Sequence, residues 1–263
     1  MNLLKRIIVA IIFIPILLIL YYLGGLALTV FLGILCVLSS YEISKMYERN
    51  GIMLPFFNIV LAFGLFYTIV VGELYFILIT LFIIFLINGF KDVLLSKIEG
   101  FTNRLSGAML CVIYPAVCFG MMYKLSEIDG FNGTLLPILT ILIWLTDSFA
   151  YFIGMLFGKH RGVFLCSPKK SVEGFIAGFV TAFAGSLGIM FLFPDVYSFG
   201  HVVILTLAVG IFGQFGDLFE SIIKRDMNVK DSSALLPGHG GVLDRFDSIM
   251  IAAPMVYLFL YSV

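Results

Sequence analysis

The sequence predicts an all-α polytopic integral membrane protein with about nine transmembrane helices. Three observations favour this fold class: the apolar composition, a series of apolar runs of helical length, and the uneven placement of the basic residues. Of the 263 residues, 61% are hydrophobic and 12% are charged, whereas soluble globular domains contain about 25% charged residues. The mean hydropathy is +1.12. This composition argues against a soluble domain and excludes a disordered, collagen-like or coiled-coil chain.

Nine apolar runs lie between charged and turn residues, and we predict that each crosses the bilayer as a helix of about 20 residues. The predicted spans are residues 7–22, 25–40, 55–71, 74–89, 105–123, 135–152, 174–193, 201–219 and 246–261. Short turns at Leu23-Gly24 and Gly72-Glu73 predict tight helical hairpins. The first run resembles a signal peptide, but no small-residue cleavage site follows it, so we interpret it as a retained helix.

The basic residues predict the orientation of these spans, because cytoplasmic loops retain Lys and Arg during insertion. Nine spans place the termini on opposite sides, and we expect the N-terminus in the cytoplasm and the C-terminus on the opposite side. Every Lys and Arg except Lys124 then lies on the cytoplasmic side. The chain has 16 basic and 16 acidic residues, so its net charge favours no nucleic-acid partner.

The sixth span contains the first polar segment, around Asp147. A carboxylate at the centre of a membrane helix costs about 2.5–3.5 kcal/mol on insertion scales, so Asp147 is expected to face a polar cavity or a partner. Tyr151 and Gly154 follow at i+4 and i+7 and share its helical face. Solvation of Asp147 at the cytoplasmic end of the helix is the alternative.

The loop before the seventh span is the second polar segment. Lys169 and Lys170 stand just before Ser171 and a helix expected to begin near Glu173. Ammonium groups beside a helix N-terminus favour a phosphate. The alternative is a basic collar that contacts anionic lipid headgroups.

The third polar segment follows the eighth span. Asp217, Ser221 and Lys224 have the spacing of one helical face, and Asp244 and Asp247 stand at i, i+3 near the start of the ninth span. Carboxylate and hydroxyl oxygens of this kind suit Mg²⁺, which takes one or two carboxylates together with water and substrate phosphates.

Basic residues and glycines in the same segment suit phosphate binding. Lys224 and Arg225 can neutralise phosphates, and Gly240 and Gly241 let backbone N–H groups approach a phosphate or a base. The alternatives are a helix cap for Asp244, an i, i+4 ion pair between Glu220 and Lys224, and a structural loop histidine at position 239.

The polar string over 221–247 forms a long motif: Ser221-x-Ile223-Lys224-Arg225, Lys230-Asp231-x-Ser233, Leu236-Pro237-x-His239-Gly240-Gly241-Val242, and Asp244-Arg245-Phe246-Asp247. This motif resembles the pattern of phosphatidate cytidylyltransferases, also called CDP-diacylglycerol synthases. The segments around Trp144 and Asp147 and over 167–174 are also similar to that family. The resemblance therefore covers most of the second half of the chain.

The resemblance implies a nucleotidyltransferase of phospholipid biosynthesis in a bacterial-type inner or cell membrane, with its active site facing the cytoplasm. Its partners would be CTP, phosphatidic acid and membrane lipids, its products CDP-diacylglycerol and pyrophosphate, and its cofactor Mg²⁺. The resemblance leaves room for a second cation and for a homodimer. We expect a single membrane domain over 1–263, in which 1–104 carry few motifs and 105–263 form the catalytic helices and cytoplasmic loops.

Residue roles follow from this interpretation, in which a lipid phosphate oxygen attacks the α-phosphorus of CTP in line. The predicted metal ligands are Asp217, Asp244 and Asp247. The predicted catalytic residues are Asp217, Ser221, Lys224, Arg225, Asp244 and Asp247. The predicted substrate-binding residues are Lys169, Lys170, Lys230, His239, Gly240, Gly241, Arg245 and Asp147.

Two other functional classes remain open from the residues. A CTP-dependent lipid-alcohol kinase would transfer the terminal phosphoryl group and release CDP. A secondary transporter would use Asp147 and Asp217 as coupling-ion sites near the midplane, although the clustering of charges toward one side and the lack of an inverted repeat disfavour it.

Overall fold

The computed structural model describes residues 14–72, 74–235 and 240–261. Within these ranges the chain is helical, with no β-strand, so the all-α prediction is confirmed. The helices are α1 (Ile14–Leu23), α2 (Gly25–Arg49), α3 (Phe57–Val71), α4 (Leu74–Leu94), α5 (Phe101–Ser126), α6 (Leu135–Phe157), α7 (Val172–Leu192), α8 (Phe199–Leu207), α9 (Gln214–Asp226) and α10 (Leu243–Tyr261), with a π-helical segment over Ala208–Gly213 between α8 and α9. The start of the first predicted span, Glu73 and His239 lie outside the described residues.

Six helical stretches among the described residues are long and apolar enough to cross a membrane: α2, α4, α5, α6, α7 and the continuous stretch Phe199–Asp226. The described part of α1 and the whole of α3 are apolar but shorter. These lengths support a polytopic membrane protein, while the count of nine spans and the sides of the termini stay predictions.

One predicted boundary was wrong because polar residues continue the helix. The second helix was expected to end at residue 40 but runs to Arg49, and it buries Ser40 and Glu42 inside the protein. The eighth span was predicted over 201–219 with its helix continuing to Lys224, and the helical stretch runs over Phe199–Asp226. In both cases the polar end packs against protein, so the end of the apolar run does not mark the end of the helix.

Helix α5 is the central element of the bundle. Its most apolar stretch is 61% buried, whereas the corresponding stretch of α4 is only 11% buried and lies at the periphery. α5 packs along α2, α3 and α10, and the rings of Phe119 and Phe246 meet edge to face with centroids 6.0 Å apart. Gly107 lies so close to the ring of Tyr47 on α2 that a side chain there would collide with it. A small residue at this position lets the two helices approach closely.

Hydrogen bonds between helix ends define what we call the motif end of the bundle, which contains the C-terminal ends of α2, α4, α6 and α9 and the starts of α5, α7 and α10. Asn50 Nδ2 donates to Met227 O at 2.8 Å, joining the ends of α2 and α9. Arg104 Nε donates to Asp92 Oδ2 at 2.7 Å, joining the end of α4 to the start of α5. Lys124 stands at the other end of α5.

Candidate active site

A cavity of about 630 Å³ opens at the motif end, between α6, α7, α9 and α10. Residues from all three polar segments line it. Four carboxylates and four cationic side chains form its polar surface: Asp147, Asp217, Asp244, Asp247, Arg161, Lys169, Lys170 and Arg245. Aromatic side chains supply much of the remaining wall: Trp144, Tyr151, Phe164 and Phe175. The cavity therefore combines a strongly charged surface with aromatic surface.

The π-helical segment before α9 positions Asp217. A π-helix closes its hydrogen bonds over one more residue than an α-helix, so it changes the direction in which the following side chains point, and such segments are frequent at functional sites. Gln214 follows it directly and donates from Nε2 to Gly210 O at 2.6 Å and to Phe175 O on α7 at 3.0 Å. These bonds fix the start of α9 against α7, with Asp217 on the cavity wall.

The basic loop before α7 meets α9 at an ion pair. Lys170 Nζ lies 2.5 Å from Asp217 Oδ2. The Ser171 side chain caps α7 by accepting a hydrogen bond from Gly174 N at 3.1 Å, and the helix begins at Val172, one residue from the predicted start. Lysine ammonium groups therefore stand beside a helix N-terminus, which is an arrangement that favours phosphate.

Asp147 lines the same cavity from α6, as expected for a carboxylate in an apolar helix. Tyr151 and Gly154 share the cavity wall with it, in agreement with their predicted helical spacing. The charged neighbours of Asp147 are Asp217, Asp247 and Lys170. Three carboxylates from three helices thus converge on one polar space, and their mutual repulsion favours cations there.

Lys224 on α9 pairs with the start of α10. Its Nζ lies 2.6 Å from Asp244 Oδ1 and 3.3 Å from Glu220 Oε2. The ion pair with Glu220 is the i, i+4 alternative that the sequence left open. The side chains of Lys224, Asp244 and Glu220 are 10%, 6% and 1% exposed, so this is a buried network beneath the cavity.

The other oxygen of Asp244 is also engaged. Oδ2 lies 3.0 Å from both the backbone N and the Oγ of Ser232, and it accepts from Gly241 N at 2.8 Å. Asp244 is therefore partly a helix cap, which is the other alternative left open by the sequence. Asp247 accepts a hydrogen bond from the backbone N–H of Ser248 at 2.7 Å, and its side chain also contacts the carboxyl group of Glu220.

Several predicted site residues lie away from the cavity wall. Ser221 is buried on α9, and Lys230 is exposed in the loop after it. Arg225 is exposed and donates to Cys166 O at 3.3 Å and to Val229 O at 3.0 Å. It therefore connects the loop before α7 to the loop after α9. Gly240 is part of the loop that leads into α10. Their predicted roles stay predictions.

Two polar residues near the site were not singled out by the sequence. Arg161 lines the cavity, and its guanidinium donates to Gly154 O at 2.9 Å and Gly158 O at 3.2 Å, closing the C-terminal end of α6. Glu42 is buried on α2 and accepts hydrogen bonds from the loop before α10. Glu42 was missed because the predicted second span ended at residue 40, which made this carboxylate part of a loop.

The carboxylate oxygens of the cavity are the candidate ligands for a divalent cation. Among the described residues, no three His, Cys, Asp or Glu side chains lie close enough to hold a metal ion as they stand. Asp217 keeps Oδ1 clear of the Lys170 contact, and Asp247 lines the cavity with Oδ1 bound to a backbone amide and its side chain beside Glu220. Two cavity carboxylates therefore fit Mg²⁺, which needs only one or two. Asp244 fits less well, because Oδ2 already has three donor atoms around it.

The fold and the cavity define an integral membrane protein with a site suited to phosphate-bearing ligands. The chain belongs to the Cytidylyltransferase family, which it matches over residues 4–263. A relative from Staphylococcus aureus, named phosphatidate cytidylyltransferase, is 32% identical over 98% of this chain and 97% of its own length.

Shorter alignments reach higher identity. The relatives from Bacillus subtilis and Staphylococcus haemolyticus carry the same name and are 39% and 40% identical. These alignments cover 57% and 64% of this chain and 56% and 65% of the relatives. They thus span between half and two thirds of the length of those two proteins.

Proposed function

We propose that the protein is a phosphatidate cytidylyltransferase, which transfers a cytidylyl group from CTP to phosphatidic acid. The observation that carries the proposal is the single cavity in which acidic and basic side chains of all three polar segments meet. Family membership and the names of the relatives from Bacillus subtilis and Staphylococcus aureus support the choice of substrates.

The charges of the cavity match those of the substrates. A nucleoside triphosphate and a lipid phosphate bring several negative charges into one space, and Lys169, Lys170, Arg161 and Arg245 line it. Arginine and lysine hydrogen bonds to phosphate are charge-assisted and therefore strong. The basic side chains hold the triphosphate and the lipid phosphate side by side, which removes most of the entropic cost of bringing them together.

The reaction is an in-line displacement at phosphorus. An oxygen of the phosphatidate phosphate attacks the α-phosphorus of CTP, a new P–O bond forms, and the bond to the bridging oxygen of the β-phosphate breaks. Pyrophosphate leaves with that oxygen and its electron pair. A phosphate monoester has a second pKa of about 6, so the lipid phosphate is already a nucleophile at neutral pH. The residues of the site therefore position the reactants and neutralise charge.

Mg²⁺ is the proposed cofactor, and Asp217 and Asp247 are its proposed ligands. When bound, it would neutralise triphosphate oxygens and stabilise the charge of the departing pyrophosphate. Lys170 pairs with Asp217 in the structure, and it would be available to a phosphate if Asp217 held a cation. Asp147 adds negative charge to the same space, and Asp244, whose Oδ1 pairs with Lys224, stays a predicted ligand. A second cation stays a prediction.

The site faces the cytoplasm in this proposal, because CTP is supplied there and the basic residues predict that side. Phosphatidic acid arrives from the bilayer. Tyr151 and Met155 line the cavity and are 65% and 53% exposed on the outer surface of α6, so this side of the cavity gives the lipid a lateral approach. A homodimer stays a prediction.

The product of the purified protein tests the proposal. Detergent-solubilised protein is incubated with CTP, Mg²⁺ and phosphatidic acid, and the released product is identified. Pyrophosphate in equal amount to a CDP-lipid supports the proposal. Release of CDP would instead indicate the lipid kinase, and ion-coupled uptake into liposomes without CTP would indicate the transporter.

A further inference from the structure

Glu42 is a buried carboxylate in the part of the chain that carries few motifs. It lies on α2 and is 0% exposed. No part of the predicted catalytic machinery stands on α2. Burying a carboxylate is costly unless hydrogen bonds satisfy its oxygens, so the partners of Glu42 indicate why it is there.

All the described partners of Glu42 come from the loop and helix start that carry the motif. Oε1 accepts from Val242 N at 2.8 Å and from Ser233 Oγ at 2.7 Å. Oε2 accepts from Leu243 N at 3.0 Å and lies 2.9 Å from Ser232 Oγ. The first N–H groups of a helix have no partner within that helix and carry its positive partial charge. Glu42 therefore caps α10 from another helix.

Ser232 connects this cap to the active-site cavity. Its hydroxyl lies 2.9 Å from Glu42 Oε2 and 3.0 Å from Asp244 Oδ2. A hydroxyl has one proton, so it donates to one of the two carboxylates at a time. The backbone N of Ser232 and that of Gly241 also donate to Asp244 Oδ2, at 3.0 Å and 2.8 Å. Glu42 and Asp244 thus hold the same loop from two sides.

The glycines of the motif fit between these carboxylates. A Cβ at position 241 would collide with Ser232 Oγ and stand 2.5 Å from Glu42 Oε1. Gly240 has a φ of +83°, and a Cβ there would stand 2.6 Å from Asp244 Oδ2, so glycine is favoured by backbone conformation as well as by space. The loop conformation therefore depends on both carboxylates.

We propose that Glu42 is a positioning residue for the cytidylyltransferase site: it fixes Gly241 and the start of α10, so that Asp244 and Asp247 face the cavity. It acts through the loop and does not touch substrate. The inference rests on the proposed function, because the catalysed reaction supplies one of its two readouts.

The test compares Glu42→Gln with Glu48→Gln. Glutamine keeps the shape of Glu42, but its NH₂ group cannot accept the hydrogen bonds that the backbone N–H groups and serine hydroxyls donate to the carboxylate. Glu48 lies on the same helix at an exposed ion pair with Lys45 and serves as the control. Two quantities are measured in detergent: kcat and KM for both substrates, normalised to folded protein, and hydrogen–deuterium exchange of the peptide over 229–243.

Loss of the cap is expected to lower kcat of Glu42→Gln by about 10- to 100-fold, which is the usual effect of losing a residue that orients active-site ligands through hydrogen bonds. Hydrogen–deuterium exchange at the backbone amides of Val242 and Leu243 is expected to become faster. Glu48→Gln stays at the wild-type values. Wild-type kcat in Glu42→Gln, or unchanged exchange in the loop, would overturn the inference. If the wild-type protein itself makes no CDP-lipid, the proposed function fails, while the exchange measurement still tests the cap.

Discussion

Lys170 Nζ lies 2.5 Å from Asp217 Oδ2 and joins the basic loop before α7 to the first turn of α9. The two residues are far apart in the sequence, and each was predicted separately to meet phosphate or metal. Their contact makes the cavity one site, in which an ammonium group neutralises the carboxylate that we propose as a ligand of Mg²⁺.

Replacing Lys170 with Met tests this relationship. The variant loses a cationic donor to phosphate, and hydrogen bonds to charged groups contribute about 1.5–3 kcal/mol. We expect kcat/KM for CTP to fall by about 10- to 100-fold. Lys159→Met is the control, since Lys159 is exposed in the same loop and does not line the cavity. Equal losses in both variants would mean that the general charge of the loop matters, and not the contact with Asp217.

Lys224 is expected to matter for stability. It stands between Glu220 and Asp244 in a network that is almost fully buried. Removing one partner of a buried ion pair leaves an uncompensated charge and costs about 3–5 kcal/mol. Lys224→Met should therefore lower the thermal unfolding midpoint in detergent by several degrees, whereas the exposed Arg225→Met should change it little. An unchanged midpoint for Lys224→Met would contradict a structural role for the network.

The four native cysteines test the orientation of the protein. Cys36, Cys111 and Cys118 are buried, whereas Cys166 is partly exposed in the basic loop. A membrane-impermeant maleimide should therefore label Cys166 in inside-out vesicles and not in intact spheroplasts. The reverse pattern is expected for Asp129→Cys in a Cys166→Ser background, because Asp129 is exposed in the loop between α5 and α6. Labelling of Cys166 from outside would contradict a cytoplasmic site.

Much of the fold could be predicted because a membrane protein has strong sequence signals. Apolar runs marked the helices, and an acid inside an apolar helix, Asp147, pointed correctly to a polar cavity. Helical spacing also predicted that Asp244 and Asp247 share a side. These features depend on local periodicity, which a sequence displays directly.

Contacts between distant segments could not be predicted in the same way. Nothing in the local sequence shows that Glu42 on α2 meets the start of α10, because that contact depends on the packing of the whole bundle. The π-helical segment that sets the direction of Asp217 has no periodic signal of its own. Nothing in the local sequence around Arg225 shows that its guanidinium donates to Cys166 O in the loop before α7.

Transfer of label from CTP to lipid tests the central claim, that carboxylates of the cavity support cytidylyl transfer. The rate is measured with CTP labelled at the α-phosphorus, for the wild type, Asp247→Asn and Asp226→Asn. Asp226 is exposed at the end of α9, outside the cavity wall. We predict label in the lipid for the wild type and Asp226→Asn, and a rate at least about 100-fold lower for Asp247→Asn. Wild-type labelling by Asp247→Asn, or lipid labelled only by CTP carrying the label at the γ-phosphorus, would contradict the claim.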